Sequence, residues 1–66
     1  MGNAKIPVNE RYSLTINEAA QYFSIGNKKM RHLAEDHLDE FGVYNGNRYL
    51  IIREKFEEFL QKTSSI

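Results

Sequence analysis

The sequence predicts an α+β domain of two short helices, a β-hairpin and a third helix, and three observations carry that reading. Residues 12–32 hold two apolar-periodic stretches separated by Ser24-Ile25-Gly26, the pattern of helices joined by a tight turn. Asn45-Gly46 stands between two β-prone runs, Phe41-Gly42-Val43-Tyr44 and Arg48-Tyr49-Leu50-Ile51-Ile52, a strong hairpin signal. Phe56, Phe59 and Leu60 then recur at helical spacing within the segment from Arg53 to Lys62.

Residues 1–10 are polar, contain the single proline, Pro7, and read as an N-terminal arm, leaving residues 11–66 as the domain. Tyr12-Ser13-Leu14 is a short extended piece. Thr15 and Glu18 have the spacing of a capping box, so the first helix starts there and runs to Phe23, with Ile16, Ala19, Ala20 and Phe23 turned inward. Ala19 and Ala20 are small enough for a second helix to cross closely. Ile25 is the apolar plug of the turn, and Gly26 is expected at the N-cap of the second helix. That helix is expected from Asn27 to Leu38, with Met30, Leu33, Ala34 and Leu38 facing the core and Asn27, Lys28, Arg31, His32 and Glu35 on or near the outer face. Acids gather at its end, where the helix dipole disfavours them. In the hairpin, Asn45-Gly46 supplies the positive φ angles. No strong N-cap residue precedes the third helix. The aromatic residues mostly sit at helical or strand periodicity, so core packing is their expected role. Helix, turn, helix, hairpin, helix is the order of a small winged helix-turn-helix domain, with the hairpin as the wing.

Length and composition restrict what such a domain does. A chain of 66 residues makes one small core, which buries only about 60% of the unfolded surface. Cysteine is absent, so disulfides and thiolate metal sites are excluded. His32 and His37 are five residues apart and share no helix face, so no metal or other cofactor is expected. No serine has a neighbouring His-acid pair and no Gly-rich phosphate loop occurs, so an enzyme is not expected. No apolar run approaches the roughly 18 residues of a membrane span, and no secretory signal is visible, so a cytoplasmic protein is expected.

The net charge is zero, but the charges are segregated. No acid occurs between Ala19 and Ala34, where Lys28, Lys29 and Arg31 lie, nor between Phe41 and Arg53, where Arg48 lies and Arg53 closes the run. Glu35, Asp36, Asp39, Glu40, Glu54, Glu57 and Glu58 form the opposing population, which predicts a basic face and an acidic face. Lys28 and Lys29 stand near a helix N-terminus, where exposed amides favour phosphate and where cations cost the helix stability. Arg31 is placed to reach a guanine edge or a phosphate, and Asn27 could read adenine. His32 is a further candidate DNA contact; Asn47 and Arg48 at the hairpin tip are candidates for the backbone or the minor groove. The competing readings are a solvated helix face for the cations and plain turn chemistry for the asparagines.

The residues Glu10-Arg11-Tyr12, Leu14-Thr15-Ile16, Glu18-Ala19-Ala20, Tyr22-Phe23, Ile25-Gly26, Arg31, Leu33-Ala34-Glu35 and Asn45-Gly46-Asn47-Arg48 carry a resemblance along essentially the whole chain. The sequence resembles the excisionases, or recombination directionality factors, of conjugative transposons of Gram-positive bacteria, whose winged helices are related to the mercury-resistance (MerR-type) regulators. The resemblance implies a non-enzymatic protein that binds and bends double-stranded DNA near the ends of a mobile element and helps a tyrosine-family integrase excise it. It implies that Lys28, Lys29, Arg31 and His32 face the major groove and that Arg48 belongs to the wing. Where the family commonly has two basic residues in a row, this chain has Arg31-His32. Cooperative contacts with further copies on the DNA are a third candidate partnership. Two alternatives stand beside this reading: a small transcription regulator of the same fold, and a protein-interaction module that uses the acidic face.

Overall fold

The computed structural model describes residues 7–66. Most of the expected arm, residues 1–6, lies outside the described residues, and Val8–Glu10 form a single 3-10 turn. The elements that follow are β1 (Ser13–Thr15), α1 (Ile16–Phe23), α2 (Asn27–Asp36), β2 (Gly42–Tyr44), β3 (Tyr49–Ile52) and α3 (Arg53–Gln61). The small α+β architecture is that of a winged helix domain.

Each boundary of α1 is made by identifiable hydrogen bonds. Thr15 Oγ1 accepts from the Glu18 amide at 3.1 Å, and Glu18 Oε1 accepts from the Thr15 amide at 3.0 Å, which completes the capping box. At the other end Ser24 adopts the left-handed conformation, with φ 58°. Its amide donates to the carbonyls of Ala20 and Gln21, and the Ile25 amide donates to Ala20 at 2.9 Å. This is a Schellman-type end, and it turns Ile25 back onto the core. Gly26 is the N-cap of α2, and its carbonyl accepts from Met30 at 2.9 Å.

The second helix ends at Asp36, earlier than its periodicity indicates. His37 stops it: the His37 amide donates to Ala34 at 3.3 Å and the ring Nδ1 donates to the Leu33 carbonyl at 2.8 Å. The chain then folds over His37, whose carbonyl accepts from Glu40 at 3.0 Å and from Gly42 at 2.9 Å. Leu38, expected on the core face, therefore lies in this turn and is exposed. Asp39 and Glu40 also lie in the turn, so of the expected terminal acids only Glu35 and Asp36 meet the end of the helix dipole.

The three strands form one antiparallel sheet in the order β1-β3-β2. Ile51 of β3 sits opposite Leu14 of β1 on one side and Gly42 of β2 on the other. The wing is thus continuous with the strand that precedes α1. In the hairpin the Asn45 amide donates to the Arg48 carbonyl at 2.7 Å, so Asn45 closes the strand pair. Of the two residues expected to take positive φ, only Gly46 does, at 69°.

Leu14, Ala19, Ala20, Met30, Ala34, Phe41, Ile51 and Phe56 are the buried core. Phe41 and Phe56 contact edge to face at 4.7 Å, Phe23 meets Phe56 at 4.7 Å, and His37 stacks on Phe41 at 4.8 Å. The expected core role fails for Tyr12, Tyr22 and Tyr44, which are exposed. Tyr44 shares the face of the buried Gly42 but stands at the tip end of β2, opposite Tyr49, where the wing extends past the core. The third helix starts without a side-chain cap, and the Arg53 amide instead donates to the Tyr12 carbonyl at 3.0 Å.

Gly42 sets the distance between hairpin and α2. A Cβ there would lie 2.4 Å from the Ala34 carbonyl oxygen, a backbone atom that cannot rotate away. Gly42→Ala is expected to force β2 off α2 and cost about 1–3 kcal/mol. Ser24→Gly, which relieves a left-handed non-glycine residue, is expected to gain up to about 1 kcal/mol. Urea unfolding checks both, and an alanine variant as stable as the parent would contradict the close approach.

Candidate nucleic-acid interface

An open cleft of about 670 Å³ runs between α2 and the wing. Its walls come from three parts of the chain: Thr15, Ile16 and Asn17 at the start of α1; Asn27, Lys28 and Arg31 on α2; and Tyr44, Asn47, Arg48 and Tyr49 on the hairpin. Helical spacing puts Asn27, Lys28 and Arg31 on one side of α2. The turn at Gly46 brings Asn47 and Arg48 to face them.

Five of the seven sequence-predicted contacts therefore meet in one place: Asn27, Lys28, Arg31, Asn47 and Arg48. Lys29 does not line the cleft; its Nζ donates to the Ile66 carbonyl at 2.8 Å. His32 is exposed on α2, outside the cleft lining. Arg53, counted with the basic population, is not available to the cleft. Its Nε donates to the Arg11 carbonyl at 2.9 Å, and its terminal nitrogens lie 3.1 Å from Glu57 and 3.6 Å from Glu54. With a side chain only 14% exposed, it fastens α3 to the segment before β1.

Several cleft residues were not singled out as contacts. Asn17 accepts from Asn27 Nδ2 at 3.2 Å, linking the starts of α1 and α2 across the cleft floor. Tyr44 and Tyr49 stand with ring centroids 4.9 Å apart, and the Arg31 guanidinium lies 5.8 Å from the Tyr49 centroid. Arg31 Nε also donates to Glu35 at 3.2 Å. The signal for the tyrosines was present in strand alternation, since Tyr44 and Tyr49 are paired across β2 and β3. Nothing local marked Asn17. Among the described residues, no three His, Cys, Asp or Glu side chains converge as a metal set, and no helix is long and apolar enough to cross a membrane.

The sequence matches the family described as the excisionase from transposon Tn916 over residues 2–66. A protein of that description from Streptococcus agalactiae serotype V is 43% identical over 67 residues, covering 100% of both chains. The chain belongs to this excisionase family. That membership supports a role in transposon excision, and it agrees with the family resemblance carried by the capping box, the turn and the wing.

In this family member the cleft wall at α1 is held by an ion pair. Glu18 bonds Arg11 as well as the Thr15 amide, so one carboxylate ties the segment before β1 to the first turn of α1. Burial works to raise the Glu18 carboxyl, but the Thr15 hydrogen bond and the Arg11 guanidinium outweigh it and hold it below the usual glutamate range. A lowered carboxyl contributes stability that is complete above its unfolded value, about 4.3, and is lost as pH falls through the lower folded value. Glu18→Ala is expected to cost about 1 kcal/mol at neutral pH. Its deficit should shrink on acidification, measured by denaturant unfolding across that range. A deficit independent of pH would contradict the charge-based part of this account.

Proposed function

We propose that this excisionase is a sequence-specific DNA-binding and DNA-bending accessory factor that promotes excision of a mobile element by a tyrosine-family recombinase. The observation that carries the reading is the cleft, in which Lys28 and Arg31 of one helix face Asn47 and Arg48 of the wing. Two basic elements on one side of a small domain suit a duplex gripped across adjacent grooves, with α2 in the major groove and the wing over the minor groove. Asn27, Lys28, Lys29, Arg31 and His32 are the proposed contacts of α2. Lys29 reaches phosphate by exchanging its bond to the Ile66 carbonyl for one to an anionic acceptor.

In this mechanism the protein neither cuts nor joins DNA. Bending a site of 20–30 base pairs by 40–90° costs on the order of 1–6 kcal/mol, so groove contacts must offset that deformation. Copies on neighbouring sites would each contribute part of the curvature, and the bend brings the recombinase's own sites together. A tyrosine-family integrase is the proposed protein partner, and the site of action is the cytoplasm.

Arg48→Ala is expected to weaken binding across sequences and to reduce the salt slope by about one unit. A slope equal to that of the parent would remove Arg48 from the interface. For the whole mechanism, a circular-permutation gel should show mobility that depends on site position, and a reconstituted reaction with the cognate integrase should shift toward excision. Salt-dependent binding without a bend and without an effect on excision would reject the excisionase mechanism and favour a small transcription regulator.

A further inference from the structure

We infer that Glu35 and Tyr49 are positioning residues that make Arg31 a reader of guanine rather than a phosphate clamp. This inference rests on the DNA-binding reading above. Its starting observation is the pair Arg31 Nε to Glu35 Oε2, 3.2 Å long, on the exposed side of α2. As a device for helix stability the pair is poorly made. The base precedes the acid, which is the weaker order for pairs four residues apart, and Glu35 sits toward the helix end where the dipole disfavours a carboxylate.

As a device for aiming Arg31 it is well made. The guanidinium is planar, and Nε is the nitrogen on its side. With Nε committed to Glu35, the terminal nitrogens are left as the outward fork, and no hydrogen bond to them is made among the described residues. The guanidinium also lies 5.8 Å from the centroid of Tyr49, which is itself half-buried and packed against the core. The Tyr44 ring lies beside that of Tyr49, with centroids 4.9 Å apart. A carboxylate at one edge and an aromatic face at another restrict a side chain that otherwise has many rotamers.

The chemistry of this fork selects its ligand. Two parallel donors match the O6 and N7 acceptors of guanine in the major groove. They do not match adenine, which offers one acceptor and one donor there. Phosphate also offers two acceptors, but it is an anion, and the Glu35 carboxylate beside the fork repels it, whereas a base edge carries no net charge. Glu35 thus discriminates against the backbone while leaving the base contact intact. The acid that the dipole disfavours has a use at this position.

The test begins by selecting duplexes from a random pool with the full chain and measuring specific and non-specific binding over a range of salt. The selected site should contain an invariant guanine. Replacing it by 7-deazaguanine, which removes N7 but keeps base pairing, should weaken parent binding roughly 5- to 150-fold. Arg31→Ala should bind both duplexes alike. Glu35→Ala should lose roughly tenfold in the ratio of specific to non-specific binding and gain about one unit of salt slope, as Arg31 turns to phosphate. Glu35→Gln, which keeps an acceptor without the charge, should fall between parent and alanine. A helix-stabilising role alone would shift the melting temperature and leave the ratio and the slope unchanged. An unchanged ratio in Glu35→Ala, or parent binding insensitive to 7-deazaguanine, would overturn the inference while leaving salt-dependent DNA binding standing. Absence of salt-dependent binding by the parent would overturn both.

Discussion

The distance between Gly42 and Ala34 governs the rest of this molecule. The β2 backbone comes so near the α2 backbone that any side chain at residue 42 would collide with the Ala34 carbonyl. That approach needs glycine at residue 42, set against the backbone of the fully buried Ala34. Because β2 pairs with β3 and β3 pairs with β1, the hairpin is fastened both to α2 and to the strand that leads into α1. The three walls of the cleft are therefore joined through one sheet and one close backbone contact. A small domain has few other means of fixing such geometry, since its core consists of Leu14, Met30, Ile51, Phe41, Phe56 and three alanines.

Charge is partitioned by the same architecture. The chain is formally neutral, yet the cations of the cleft are separated from most of the acids. Arg53 is drawn into the structure by Glu54, Glu57 and the Arg11 carbonyl, and Arg11 itself is held by Glu18. Lys28, Arg31 and Arg48 remain exposed around the opening. A strongly basic total is thus unnecessary for a basic face, because potential over a surface depends on where charges sit. Among the described residues, Glu35 is bonded to one of the cleft cations, Arg31.

Much of this was legible in the residues. Thr15 and Glu18 announce the start of α1 because a capping box is a local interaction with a fixed spacing. The hairpin and the α3 stripe of Phe56, Phe59 and Leu60 are equally local, and the family resemblance extends over elements of the same kind. The failures are tertiary. The periodicity of α2 carries on through Leu38, but His37 caps the helix with its own ring and backbone, so the last apolar residue leaves the core face. Asn45-Gly46 marks a turn correctly but not its register, which the Asn45 to Arg48 bond shifts by one residue. The role of Gly42 depends on a helix eight residues away in sequence at Ala34, and no local pattern encodes it. Asn17 and Arg53 were likewise decided by partners distant along the chain.

The central claim is that α1, α2 and the wing present one DNA-binding face. NMR titration of the isotope-labelled chain with a duplex tests it most directly. The account predicts that the amide signals of Asn17, Lys28, Arg31, Asn47 and Arg48 shift together along one binding curve, while those around Glu57 and Glu58 on α3 stay unchanged. Shifts confined to α3, or a wing that remains silent while α2 responds, would contradict it.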